Sequence, residues 1–399
     1  MELPQSQDPI EELITNYNEL NSPIVEELTE EPSPLEFMRF VARNTPFVVR
    51  GAAADWQATR TWTVDFLTQY LGDQLVNVAV TPAGNADAPT PFTNPDGTTT
   101  LVLAKPHEEY QPFSAFLSYL TAQEKATKAT VPPPSPSPSS SPPSPSSSTP
   151  SAEAHHHRGE PEEVRYAQTQ NDNLRHEYRR LQAHVPRDIA FARVALAAGA
   201  RGGGPDAVNL WIGNSRSVTA LHRDAYENLY VQVAGRKHFT LLPPAFQPGV
   251  NERLLRGARY RRVVGAAGDG RRGGGGGGLE LVLDEDLEEA DQEEEEEGKK
   301  GMVPFPTWDP DRPEENATRY SRLAQPMRVT LEPGDMLYLP CLWYHKVSQS
   351  CSPEGVCIAV NYWYDMDFTG PLYPLSTFVR SVSSKTDSSC KDDGGTVPP

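Results

Sequence analysis

Cysteine is scarce in this chain. Its 399 residues hold four, Cys341, Cys351, Cys357 and Cys390, and no two are spaced as a C-x-x-C pair. That excludes a disulfide framework as the organising device and points to reduced thiols. Long apolar runs are missing as well. No stretch approaches the roughly 20 residues of a membrane span, and Met1-Glu2-Leu3-Pro4 carries neither the basic nor the apolar segment of a secretory leader. The expected location is cytoplasmic and/or nuclear, away from membranes. Positive charge is short too: 36 Lys and Arg face 54 Asp and Glu for a net charge of −18, so direct nucleic-acid binding is not expected.

Proline and glycine are plentiful, at 39 and 29, and cluster in two tracts. Residues 131–158 are largely Pro and Ser and include His155, His156 and His157 near their end. So few apolar side chains cannot offset the entropy of ordering, which predicts a disordered insert. Residues 265–301 contain six consecutive Gly, and between Glu280 and Glu297 there are twelve acidic residues and no basic one. The stretch 280–297 alone therefore carries −12 against the net −18 of the whole chain. The remainder is long enough to bury about three-quarters of its extended surface without staples.

Residues 22–130 read as an α/β region. Over 34–42, Leu35, Met38, Val41 and Ala42 fall on one helical face behind the Ser33-Pro34 start signal. Residues 47–51 read as a short buried strand, 63–71 as a helix stopped by Gly72, and 76–80 as a strand. Trp56 and Trp62 read as core. From residue 206 the pattern changes to closely spaced strands, at 208–213, 217–224, 227–234, 237–242, 327–331, 335–339, 343–349 and 356–364. Gly235-Arg236 suits a two-residue hairpin, and Glu332-Pro333-Gly334-Asp335 suits a type II turn. Eight such strands predict a mainly β fold, a double-stranded β-helix of the cupin or jelly-roll type. The expected organisation is a flexible 1–21, an α/β region 22–130 packed on the core, the 131–158 insert, a cupin domain 159–380 carrying the 265–301 insert, and a flexible tail 381–399.

The chemistry-bearing pattern is His222-Arg223-Asp224. Strand side chains alternate, so His222 and Asp224 can face one metal while Arg223 faces away. Spacing alone does not single it out, because His107-Glu108-Glu109 matches it between Pro106 and Pro112 in a loop-like segment. A two-His-one-carboxylate site needs another histidine from a later strand and leaves positions open, as in non-haem Fe(II) oxygenases. His345 is the natural third ligand; standing alone it reads more readily as a hydrogen-bonded core histidine beside aromatic residues. Such an enzyme needs an electron-donating co-substrate, and a dicarboxylate such as 2-oxoglutarate needs a cation at its far end. Lys237 fits that role if it points into the barrel, since a buried lysine calls for an anion; its other reading is an exposed turn lysine. Thr219, Asn228 and Asn361 can add short polar contacts.

The strings Asn209-Leu210-Trp211-Ile212-Gly213, Val218 to Tyr230, Gly235-Arg236-Lys237-His238-Phe239, Pro333 to Pro340, Trp343-Tyr344-His345 and Ala359 to Met366 resemble a JmjC domain. The likeness extends to Pro46 to Gly51, Val78 to Pro82 and Tyr166 to Asn171, which is the pattern of the small JmjC lysyl hydroxylases also described as peptidases. The resemblance implies Fe(II) held by His222, Asp224 and His345, and 2-oxoglutarate held by Lys237 with help from Tyr166, Thr219, Asn228 and Asn361. It implies oxidative decarboxylation of 2-oxoglutarate by O2 coupled to hydroxylation of a protein lysine at C3, with GTP-binding proteins of the developmentally regulated class as substrates and a homodimer as the assembly. A cationic substrate would favour acids at the mouth, for which Asp365 and Asp367 are candidates unless they are solvated strand ends. N-methyl-lysine demethylation and lysyl- or arginyl-directed peptidase activity are the competing reactions. No H-E-x-x-H helix supports the peptidase from the residues themselves.

Overall fold

The computed structural model describes residues 8–130, 163–196, 204–263, 278–284 and 302–392, with side chains up to 383. The 131–158 insert and most of 265–301 lie outside these residues. Two sheets form the centre of the molecule. Their strands are β1 (Glu26–Leu28), β2 (Phe47–Val49), β3 (Ala207–Gly213), β4 (Thr219–His222), β5 (Tyr226–Ala234), β6 (Arg236–Leu242), β7 (Met327–Leu331), β8 (Met336–Leu339), β9 (Tyr344–Ser350) and β10 (Cys357–Asp365). The larger sheet runs β1-β2-β8-β5-β10-β3 and the smaller β7-β6-β9-β4. Side chains from both meet between them, with Trp211, Tyr230 and Leu337 from one and Phe239, Met327 and Val347 from the other. This is the expected jelly roll, and each of its eight predicted strands is present within one to two residues at either end.

One expected turn has a different role. β5 and β6 belong to different sheets, so Gly235 is a corner where the chain crosses between layers and not a hairpin. Its φ is +69°, and a Cβ there would lie 2.6 Å from the Ser350 carbonyl oxygen. Only glycine accepts both conditions. Glu332 to Asp335 is a turn as expected, closed by a 3.0 Å bond from Asp335 N–H to the Glu332 carbonyl with Gly334 at φ +94°.

The outer face of the larger sheet is covered by the N-terminal region. Helix Pro34–Arg43 starts with a reciprocal capping box between Ser33 and Glu36 and stops at Asn44, which adopts the left-handed conformation at φ 51°. Its buried face differs from the expected one: Phe37 and Phe40 are inside, while Leu35 and Met38 are exposed. Phe37 packs edge-on to Tyr338 at 4.8 Å and to Phe191 at 5.0 Å, and two aromatic rings bury more area than Leu and Met would. Each fully buried phenylalanine contributes about 2–3 kcal/mol by area. Helix Val64–Leu71 and strand Leu75–Thr81 match expectation, Trp62 is buried and Trp56 is packed against the core.

Three boundaries move. Residues expected to be flexible at the start include helix Pro9–Leu20, capped by Asp8 and docked through Ile10 and Ile14 against Trp308 and Tyr320. The expected tail overlaps helix Leu372–Asp392, with Val379 and Val382 on the same cluster. Within 265–301, Leu279–Leu283 pairs with Glu252–Arg262, a strand that also pairs with Thr99–Lys105 and Met302–Pro306. Short apolar runs flanked by charge formed these elements because a partner edge was available, which local composition does not reveal. No helix among the described residues is long and apolar enough to cross a membrane.

Candidate active site

His222 ends β4 and His345 lies near the start of β9, and the two are register partners across the antiparallel pair. Their rings lie 4.1 Å apart between centroids. Asp224 follows the strand instead of continuing it, yet its carboxylate reaches both: Oδ2 is 3.7 Å from His222 Nε2 and 3.6 Å from His345 Nε2. One ligand atom from each residue falls within 4.8 Å of the others, and among the described residues this is the group arranged to hold an ion. Ligand atoms about 2.1 Å from a shared ion sit only slightly closer together. Two imidazoles and one carboxylate are the donor set of non-haem Fe(II) centres, so the residues fit the metal that the sequence implies.

Backbone carbonyls set the imidazole orientations. His222 Nδ1 lies 2.8 Å from the Ala220 carbonyl and His345 Nδ1 lies 3.0 Å from the Trp343 carbonyl. A carbonyl only accepts, so each Nδ1 carries the proton and each Nε2 lone pair is left for the ion. Burial, reinforced by adjacent His222, pushes His345 down to about 4, which keeps it neutral and ready to ligate. The turn before His345 is tied to Asp224 by a 2.8 Å bond from Leu342 N–H to the Asp224 carbonyl. Asn44, the C-cap of helix Pro34–Arg43, donates to the Cys341 carbonyl at 3.1 Å and accepts from Trp343 Nε1 at 2.8 Å. The covering helix thereby fixes the turn that presents His345.

The interior of the barrel continues away from this cluster. Lys237, Phe239, His345 and Val347 line one cavity together with Thr219, Asn228 and Asn361. On β6 and β9 the register places Lys237 opposite Gln349, four residues beyond His345, or about 13 Å of strand. Lys237 is 3% exposed, which settles it as an interior lysine. Its Nζ donates to Tyr166 Oη at 2.8 Å, and no carboxylate among the described residues pairs with it. Trp211 Nε1 donates to Asn361 Oδ1 at 2.8 Å, and Asn361 Nδ2 donates to Asn228 Oδ1 at 3.1 Å, an ordered polar wall on the larger sheet. The structure thus brings together all eight site residues expected from the sequence.

Several lining residues were not anticipated. Tyr230 shares the inward face of β5 with Asn228, two residues away, so strand alternation was the available signal. Gln170 and Trp211 line both this cavity and a wider cleft of about 970 Å³ that opens beside His222 and Thr219. Asp87, Gln168 and His107 line that cleft, and no motif connects them to the cluster. His107-Glu108-Glu109 is strand and not loop, paired with Leu75–Thr81, and it joins no metal-holding group among the described residues. Asp365 and Asp367 line neither space; the Asp367 carboxylate accepts from Thr369 N–H and Oγ1 on the surface.

A jelly roll holding a two-His-one-carboxylate cluster and an interior lysine defines the JmjC class of cupin oxygenases. Residues 32–370 match the Cupin-like domain family, and the chain belongs to it in its JmjC form, whose members depend on Fe(II) and 2-oxoglutarate. It is 33% identical over 343 residues to the human bifunctional peptidase and (3S)-lysyl hydroxylase JMJD7, covering 86% of this chain and 84% of that protein. It is also 31% identical over 375 residues to the Arabidopsis thaliana lysine-specific demethylase JMJ32, covering 91% and 88%. With Dictyostelium discoideum JmjC domain-containing protein E it shares 28% identity over 392 residues, covering 94% and 96%.

Proposed function

We propose that this protein is an Fe(II)- and 2-oxoglutarate-dependent dioxygenase that hydroxylates a protein lysine side chain at C3. One observation carries the reading: the His222–Asp224–His345 cluster and a buried lysine with no carboxylate partner among the described residues line the same cavity. His222, Asp224 and His345 hold the metal. Lys237 and Tyr166 receive the far carboxylate of 2-oxoglutarate, because a buried ammonium is stabilised by an anion and costs several kcal/mol without one. Thr219, Asn228 and Asn361 orient the rest of the co-substrate. Bound Fe(II) with 2-oxoglutarate and O2 supplies decarboxylation to succinate and CO2 together with transfer of one oxygen atom to a C–H bond. Trp211, Phe239, Val347 and Trp363 wall the cavity and limit water.

Lysine is favoured as the target because two relatives matched over most of their length are named for acting on it. The proposal extends to GTP-binding proteins of the developmentally regulated class as substrates, to a homodimer, and to a cytoplasmic or nuclear location. The demethylase name of one relative supports a second reading, N-methyl-lysine demethylation by the same site. Incubating the protein with Fe(II), ascorbate, 2-oxoglutarate and lysine or methyl-lysine peptides separates them by mass. A gain of about 16 Da marks hydroxylation and a loss of about 14 Da demethylation, while new peptide termini with neither mass change would contradict both oxygenase readings.

A further inference from the structure

The wide cleft of about 970 Å³ is lined by His222 and Thr219, and its charges are unequally matched. Four cationic side chains, Lys105, Arg259, Arg261 and Arg262, line it, and three of them are already paired. Lys105 and Arg259 both pair with Asp284, at 2.7 and 2.8 Å, and Arg262 pairs with Glu109 and Glu163 at 2.7 and 2.8 Å. The anion next to the metal-holding residues is different. Asp87 lies in the cleft with His222, and its hydrogen-bond partner among the described residues is an amide: Gln168 Nε2 donates to Oδ2 at 3.0 Å. Oδ1 has no partner among the described residues.

The backbone commits to this placement. Asp87 has φ 52°, the left-handed region that aspartate tolerates better than most side chains, directly before strand Ala88–Thr93. Gln168 follows Tyr166 by two residues, so the segment that supplies the co-substrate end of the cavity also steadies Asp87. Burial pushes the Asp87 carboxyl up from its ordinary range against the pull of the Gln168 hydrogen bond. A carboxylate desolvated in this way, which feels Lys105 and His222 but forms no ion pair among the described residues, is stabilised by a cation arriving from outside.

We infer that Asp87 is the specificity-determining anchor for a cationic substrate, its free carboxylate oxygen receiving the ammonium of a lysine side chain inserted through the cleft toward His222. This deepens the proposed function and rests on it for the direction in which the side chain enters. Binding across a carboxylate held by Gln168 sets how far the alkyl chain extends past the cluster, and so which carbon is presented. The surface acids Asp365 and Asp367, which the sequence offered for this task, have no part in it.

The test uses the full-length protein and two synthetic peptide libraries with degenerate flanks, one centred on lysine and one on norleucine, which has the same chain length without the charge. Peptides retained by the immobilised protein loaded with Fe(II) and 2-oxoglutarate are counted by mass spectrometry. The wild type and Asp367→Asn are expected to enrich lysine over norleucine. Asp87→Asn is expected to lose that preference by about tenfold or more, and Asp87→Glu to recover part of it. No lysine preference in the wild type, or an undiminished one in a folded Asp87→Asn, overturns the inference. Succinate formation in the same samples reports on the oxygenase reading separately, since its absence would sink that reading while the lysine-to-norleucine ratio still decides the anchor.

Discussion

Lys237 Nζ donates a 2.8 Å hydrogen bond to Tyr166 Oη, joining the interior of the β-barrel to a strand that precedes it by some seventy residues. Tyr166 is itself buried on Val164–Tyr166, which pairs with Leu75–Thr81. Removing the ammonium should leave the co-substrate carboxylate without its counter-charge. Lys237→Ala is expected to raise KM for 2-oxoglutarate on the order of thirtyfold or to abolish turnover, and Tyr166→Phe to raise it about five- to tenfold. Succinate formation titrated against 2-oxoglutarate checks both. An unchanged KM in Lys237→Ala would remove the lysine from the site.

Gly235 gives a stability prediction independent of chemistry. Alanine there would have to hold φ near +69° and place its Cβ 2.6 Å from the Ser350 carbonyl oxygen. The Gly235→Ala variant should lose about 1–3 kcal/mol, and Tm should fall by about 1–1.5 °C per kcal/mol for a chain of this size. Thermal unfolding of the two proteins settles it, and equal Tm values would mean that the corner adjusts without strain.

Glu227 predicts a pH dependence. Its carboxyl is buried, accepts from Tyr338 Oη at 2.6 Å and Cys341 N–H at 3.3 Å, and is raised above its ordinary value by burial against the pull of those bonds. A carboxyl raised in the folded state favours folding while protonated, so its stabilising contribution is present below the unfolded value of about 4.3 and fades as pH climbs through the folded one. Relative to Glu227→Gln, which cannot titrate, the wild type should therefore gain stability as pH falls from neutrality toward 4. Urea unfolding of both proteins across that range reads the difference, and a gap that does not change with pH would contradict the assignment.

These residues also show what the sequence could and could not reveal. The eight barrel strands were legible because apolar alternation and Gly or Pro turns are local signals. His222 and Asp224 were legible because their strand context and the later His345 separated them from the equally spaced His107-Glu108-Glu109, and Lys237 through the resemblance to a JmjC domain. Gly235 was misread because a local pattern does not say to which sheet the next strand belongs. Leu35 and Met38 were misread as the buried side of their helix because the aromatic partners that draw Phe37 inward, Tyr338 and Phe191, are far away in sequence. Helix Pro9–Leu20 was overlooked for the same reason, since Trp308 and Tyr320 supply the surface that holds it. Asp87 carries no motif at all and became visible only when the cleft placed it beside His222.

The central claim is that His222, Asp224 and His345 together hold an iron that makes this chain a 2-oxoglutarate oxygenase. His222 and Asp224 are partly exposed ends of a strand and its extension, so truncating either should spare the fold. The direct measurement is succinate formed from 2-oxoglutarate with Fe(II), ascorbate and O2 by the wild type, by His222→Ala and by Asp224→Ala, with and without EDTA. The account predicts succinate from the wild type alone, its loss on chelation, and folded but inactive variants. Succinate from either variant at the wild-type rate, or from the wild type in excess EDTA, would contradict it.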